Sequence, residues 1–176
     1  ANLNISNSRS FKEMISIVAA RANFSRTGDW IIGGRWDHTA WPENTFPVHD
    51  DLSVLTPNNP VYLTRIDGNS AFVNALAMEI SGINKDTPDP EGGRIIRKSN
   101  GEPTGVLINS AIYLVTDKIP ELSNKEKETR LQKAILYCNK FGLTGIHEAG
   151  VGPYEIAMYK DLIDRNSLDI RLSAML

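Results

Sequence analysis

The stretch Gly142-Leu143-Thr144-Gly145-Ile146-His147-Glu148-Ala149-Gly150 decides how the chain is read. Its centre, Leu143 to His147, is a short apolar run between two helical patterns. Upstream, Ser123 with Glu126 three residues on forms a capping box. Leu131, Ala134, Ile135, Cys138 and Phe141 then recur at helical spacing until Gly142 stops the pattern. Downstream, Pro153 opens a helix carrying Ile156, Tyr159 and Ile163, and Ile170 to Leu176 is a second strand-like run. Both strand runs look apolar on both faces and a helix separates them, which predicts a parallel, helix-covered sheet of the α/β class. Two such strands are too few to close a barrel.

Working back from this stretch, Phe11, Met14, Ile15, Val18 and Ala22 mark an amphipathic helix with Ser8 or Ser10 as its N-cap. Asp29 to Arg35 and Val61 to Ile66 read as strands. Between them, Trp36, Trp41, Pro42, Phe46 and Pro47 indicate a packed loop, too proline-rich for regular structure. Phe72, Leu76 and Ile80 stand four residues apart, so the run from Ala71 to Ile80 reads as a helix that leaves the second strand directly and ends at Gly82. From Arg94 to Ile108 two apolar runs flank Ser99, Asn100 and Gly101, the signature of a β-hairpin.

The chain has 176 residues, 41% of them apolar, enough for one ordinary domain with a core. Its 19 basic and 21 acidic residues form no run of one sign, which argues against nucleic acid as a partner. No apolar stretch approaches the roughly twenty residues that span a bilayer, and the first residues lack the regions of a signal peptide. The expectation is a soluble protein without a membrane partner, cytoplasmic in preference to secreted. Cys138, the only cysteine, has no internal disulfide partner and is expected to be a small buried hydrophobe. The start at Ala1 and the end at Met175 and Leu176, inside an apolar run, read as cuts in a longer chain.

Three groups of residues could carry chemistry. His147 and Glu148 come at the carboxyl end of a parallel strand, where α/β sheets bind ligands; they suit either a substrate site or a structural hydrogen bond. Arg65, Asp67 and Asn69 alternate as the chain leaves its second strand, with Gly68 permitting a tight exit. They suit either a polar substrate group or an ion pair that fixes the next element. Trp36, Asp37 and His38 follow another strand and suit either a pocket wall or a small core. The histidines His38, His49 and His147 lack the close spacing of a zinc pair, so no metal site is legible. Gly33-Gly34 and Gly92-Gly93 are too short to support a nucleotide site, and no nucleophile elbow is present.

Trp30-Ile31-Ile32-Gly33 with Trp36-Asp37, then Pro60-Val61-Tyr62-Leu63 with Arg65, Asp67-Gly68 and Asn74, resemble amidohydrolase family 3. Pro88, Gly92-Gly93-Arg94-Ile95, Gly101-Glu102-Pro103-Thr104-Gly105 and Gly142-Leu143-Thr144-Gly145-Ile146-His147 with Ala149-Gly150 extend the resemblance in the family's order. It implies a metal-dependent hydrolase similar to N-substituted formamide deformylase, with a (β/α)8 catalytic barrel, a divalent metal, zinc foremost, and a small-molecule amide substrate. In such enzymes the metal activates water and an aspartate is the general base. The family's metal-binding histidines, lysine and catalytic aspartate would precede Ala1 or follow Leu176, so the chain itself is expected to hold no metal and to be inactive.

On this resemblance the chain is a partial TIM barrel with a mixed α+β insertion lobe. Residues 1–27 hold the helix after the missing first barrel strand, 28–120 the insertion lobe, and 121–176 a barrel segment of helix, strand, helix and strand. Unshielded barrel strands make self-association the expectation for the chain alone. Where the family reads Asp-Gly-His, this chain has Asp67-Gly68-Asn69, and asparagine cannot titrate. The substrate-binding candidates are therefore His147, Glu148, Arg65, Asp67, Asn69, Trp36 and Asp37. The alternative is a free-standing ligand-binding or interaction module derived from the lobe.

Overall fold

A computed structural model describes residues 2–175. The chain divides into two compact units, Ala1–Pro120 and Glu121–Leu176. The first is built on a six-stranded mixed sheet in the order Leu3–Asn4, Ile31–Trp36, Val61–Arg65, Ser70–Val73, Pro103–Asn109, Gly93–Arg97. Strands β1 (Leu3–Asn4), β2 (Ile31–Trp36) and β3 (Val61–Arg65) run parallel. Strands β4 (Ser70–Val73), β5 (Gly93–Arg97) and β6 (Pro103–Asn109) add antiparallel pairings.

The period of two along the strands sends side chains into two cores. Val61 and Leu63 pack into one with Trp36, Phe72 and Val106, and Tyr62 packs into the other with Val73 and Leu107. Helix α1 (Phe11–Ala22) adds Met14, Ile15 and Val18 to the first core, and Ser10 caps it by accepting the Glu13 N–H. Residues 2–27 thus share a core with the segment expected to form a separate lobe. Helices α2 (Asp50–Leu55), α3 (Ala75–Ile80) and α4 (Tyr113–Thr116) complete the unit; α2, hidden behind a single apolar anchor, Leu52, was not expected. The expected packed loop after Trp36 is present, with Trp36 and Trp41 buried and one 3-10 turn at His38–Ala40.

The helix expected over Ala71 to Ile80 is corrected. Asp67-Gly68, with Gly68 at φ +74°, turns the chain back on β3, and Ser70–Val73 becomes a strand buried between β3 and β6. Asn74 then starts a short helix, α3. Its Oδ1 accepts N–H groups from Val61 and Ala77, while Nδ2 donates to Thr56 Oγ1 and to the Asn59 and Thr56 carbonyls. This fully buried amide ties β3, α3 and the loop after α2 together. The hairpin between β5 and β6 is present where Asn100-Gly101 marks it, with Gly101 at φ +88°.

The second unit comprises α5 (Asn124–Lys140), β7 (Gly145–Glu148), α6 (Pro153–Asp164) and β8 (Arg171–Ala174). The capping box at Ser123 and Glu126 and the Pro153 start are both present. Strands β7 and β8 pair in parallel, as expected, with Gly145 beside Arg171 and His147 beside Ser173. Their expected burial on both faces is corrected, since Gly145, His147, Arg171 and Ser173 are all exposed. Helix α6 buries Leu162, whereas Ile163 is 58% exposed. On α5 only Ile135 is buried; Cys138 is half-buried, while Ala134 and Phe141 are exposed. Leu176, the expected end of the last strand, lies outside the described residues. No helix among the described residues is long and apolar enough to cross a membrane.

Candidate functional site

In the first unit the parallel pairing of β2 and β3 brings two sequence-distant groups to one end of the sheet. A register shift between Gly34 and Trp36 sets Trp36 opposite Arg65. Arg35, at the shift, has φ +73° and is exposed. The extra residue turns Trp36 into the core, where its Nε1–H donates to the Leu63 carbonyl at 2.8 Å. Trp36 is thus a core anchor, not a pocket wall.

Asp37, the next residue, meets Arg65. The guanidinium donates through Nη2 to Asp37 Oδ1 at 3.2 Å and through Nη1 to Asp67 Oδ2 at 2.5 Å. The Thr39 hydroxyl and N–H donate to Asp37 at 2.8 and 3.1 Å. The Thr39 hydroxyl, with help from its N–H and from Arg65, holds the Asp37 carboxyl below its usual range. Asp67 also accepts the Asn69 N–H, and the Asn69 carbonyl accepts the Asn109 N–H from the end of β6. Arg65, Asp67, Asp37 and Asn69 therefore form one polar cluster, with Asp67 and Asn69 exposed at its rim.

His38 belongs beside this cluster, a placement that alternation along one strand could not reveal. Its ring lies 4.3 Å from that of Phe46 and 6.0 Å from that of Trp36. Burial, reinforced by Arg65, pushes its pKa down against the pull of Asp37 and Asp67. His38 Nδ1 and Arg65 Nε are buried without a hydrogen-bond partner.

His147 and Glu148, in the second unit, lie on opposite faces of β7. Successive strand residues face opposite ways. His147 is on the exposed face with Ser173, whereas Glu148 is half-buried and close enough to Tyr159 of α6 to help burial raise that phenol's pKa.

The residues present do not fit a catalytic metal. No three His, Cys, Asp or Glu side chains gather into a donor set among the described residues. His38 faces the Arg65 cation, and His49 Nδ1 is engaged by Ser53 Oγ at 2.9 Å, an oxygen that also accepts the Ala75 N–H. His147 stands on β7 in the other unit.

Comparisons with known proteins agree along almost the whole chain. The Amidohydrolase family profile matches residues 1–175. Protein LONG AFTER FAR-RED 3 of Arabidopsis thaliana is 37% identical over 138 residues, covering 78% of this chain and 24% of that protein. N-substituted formamide deformylase of Arthrobacter pascens is 26% identical over 152 residues, covering 84% of this chain and 28% of that enzyme. Among solved structures, an uncharacterized metal-dependent hydrolase from Pyrococcus horikoshii OT3 superposes with a TM-score of 0.66 at 16% identity. That match takes in 98% of this chain and 32% of the other, and shows a shared mixed α/β fold. The chain spans about a quarter of the length of the curated relatives it matches. With a family match from residue 1 to residue 175, the chain belongs to the amidohydrolase family.

Proposed function

We propose that the chain is part of a metal-dependent amidohydrolase that cleaves amide or formamide-like C–N bonds, and that by itself it is inactive. One observation carries this reading: the family match runs over residues 1–175, yet no metal donor set gathers among the described residues. The divalent metal, zinc in this reading, is assigned to ligands in the part of the longer protein that this chain does not span. Residues 121–176 are read as a segment of a (β/α)8 barrel, and residues 28–120 as an insertion lobe.

Within that enzyme the polar cluster of the lobe handles a small-molecule amide. Arg65 is a positioning residue, because its terminal nitrogens are committed to Asp37 and Asp67. Asn69 offers an exposed amide that can both donate and accept, and it can do so at any pH. In this chain His147 is exposed on β7, while Glu148 lies on the α6 side near Tyr159. Left alone, the chain has unshielded strand edges in β7 and β8, which favour self-association.

The test compares the protein encoded by the full reading frame with the 176-residue chain, both supplied with zinc and assayed on formanilide and acetanilide. The longer protein is expected to hydrolyse at least one of them, and the chain alone neither. Asn69→Ala in the longer protein should raise KM with little change in kcat. Turnover by the chain near the longer protein's rate defeats the reading, as does a longer protein inert toward amides.

A second reading, a ligand-binding or interaction module derived from the lobe, is favoured by one observation: the first unit closes cores on both faces of its sheet without help.

A further inference from the structure

Asn109, at the end of β6, combines φ 51° with ψ −128°. These are the angles of the first central residue of a type II′ turn, where glycine fits without steric cost and a side chain strains the backbone. Contacts inside the first unit hold Asn109 there. Its N–H donates to the Asn69 carbonyl at 2.7 Å, it pairs with Gly93 of β5, and the Ser110 hydroxyl next to it donates to the Glu91 carbonyl. None of these restraints involves the part of the longer protein outside this chain, so the conformation belongs to the first unit itself. Glycine already stands where this knot needs backbone alone: Gly92 has φ +71°, and a Cβ on Gly93 would collide with the Ala111 nitrogen. At Asn109 the turn carries a side chain that its backbone does not need.

The neighbours of that side chain suggest its use. Asn109 stands opposite Asn69, one step beyond the Ser70–Ile108 pair of β4 and β6. Both are exposed, and among the described residues neither side-chain amide hydrogen-bonds to another group. The other asparagine amides differ: that of Asn74 is fully engaged, and Oδ1 of Asn84 and of Asn100 each accepts a backbone N–H nearby. Asp67 accepts the Asn69 N–H and pairs with Arg65, so the two free amides continue the polar cluster at its rim. A strained backbone setting that its surroundings enforce marks a position whose side chain has work to do.

We propose that Asn109 joins Asn69 in holding the amide group of the substrate. The NH2 of one side chain donates to the substrate carbonyl, and the carbonyl of the other accepts the substrate N–H. The ligand class is then a neutral secondary amide. Neither asparagine titrates, so recognition does not depend on their protonation, and the exposed carboxylate of Asp67 at the same rim opposes an anionic ligand. The inference rests on the reading of the cluster as an amide site, and not on hydrolysis.

The test measures binding to the longer protein by ligand NMR, before measurable turnover. The probes are N-benzylacetamide and benzylacetone, its isostere in which a CH2 replaces the N–H. The amide is expected to bind saturably and at least about fivefold more tightly than the ketone. Asn109→Gly should weaken the amide about tenfold and bring the two ligands within about twofold of each other. The same change should keep or raise the urea unfolding midpoint, because glycine suits the turn. Asn166→Gly, at another positive-φ asparagine in the second unit, should leave both affinities unchanged. The proposal is overturned if the amide does not saturate, if the ketone binds as well, or if Asn109→Gly leaves the amide's affinity unchanged. It is overturned too if Asn109→Gly lowers the midpoint along with the affinity, which would make the role structural, or if Asn166→Gly costs as much. A longer protein that binds the amide without hydrolysing it defeats the functional reading alone.

Discussion

In the first unit Val61 and Leu63 of β3 enter one core and Tyr62 enters the other, so the central strands are buried on both faces. In the second, Gly145, His147, Arg171 and Ser173 stand exposed, and Leu136 and Tyr137 of α5 and Phe141 just after it are each 65% exposed. Both units contain parallel strands, an arrangement that elsewhere needs cover on both sides. The first unit is finished within its own residues, while the two-stranded unit holds half of what such a sheet requires. The difference bears on function: the finished unit presents a fixed polar cluster, and the open one presents surface for something else to complete.

The strongest challenge to this contrast is a pair of aromatic truncations. Trp36 is fully buried, packs against Trp41 and Phe72, and donates to Leu63. Trp36→Ala should destabilise the first unit by roughly 3–5 kcal/mol in urea unfolding. Phe141, which meets Tyr137 edge-on at 5.0 Å in the open, should cost less than about 1 kcal/mol on the same change. Equal losses would erase the distinction between finished and unfinished units.

A smaller effect sharpens it. Asn74→Ala removes an amide with five hydrogen-bond contacts and leaves the buried Val61 N–H without its acceptor. The expected loss is about 3 kcal/mol, again confined to the first unit. A loss below about 1 kcal/mol would show that water replaces the amide and that the first unit is less closed than its packing indicates.

Acidification gives the smallest effect. Burial pushes His38 and His49 below the ordinary histidine value of about 6.5, so the unfolded chain takes up protons where the folded first unit does not. Stability of the first unit should therefore fall as pH drops through about 6.5 toward the folded values. Asp37 and Asp50, held low chiefly by Thr39 and Lys98 respectively, extend the loss into the carboxylate range. In the second unit the raised phenol of Tyr159 acts only at alkaline pH. All three tryptophans, Trp30, Trp36 and Trp41, lie in the first unit, so fluorescence-monitored unfolding at pH 7 and pH 5 reads it selectively. Unchanged stability between the two would remove the histidines from the account.

Local signals in the sequence carried much of this architecture. Ser10, Asn100-Gly101 and the Ser123 and Glu126 box satisfy backbone groups nearby, Pro153 brings no N–H that would need a partner at the start of α6, and each marks the element it predicts. What stayed hidden depends on distant partners. Phe72, Leu76 and Ile80 have helical spacing, but Phe72 belongs to a strand made stable by β3 and β6 on either side. Asn74, a good N-cap ahead of Ala75, was the available sign that the helix begins later. The convergence of Asp37 on Arg65 depends on a register shift that the sequence does not announce. The polarity of the open β7–β8 face was readable from Gly145, His147, Arg171 and Ser173 once alternation was applied to both strands.

Hydrogen exchange on the dilute chain tests most directly whether one unit is finished and the other is not. The Arg171 and Met175 N–H groups donate to Thr144 and Glu148, so by alternation those of Leu172 and Ala174 point away from β7. The account predicts that Leu172 and Ala174 exchange nearly as fast as in a free peptide, while amides of β3, β4 and β6 are slower by on the order of a thousandfold. Protection of Leu172 and Ala174 equal to that of the central strands would contradict it.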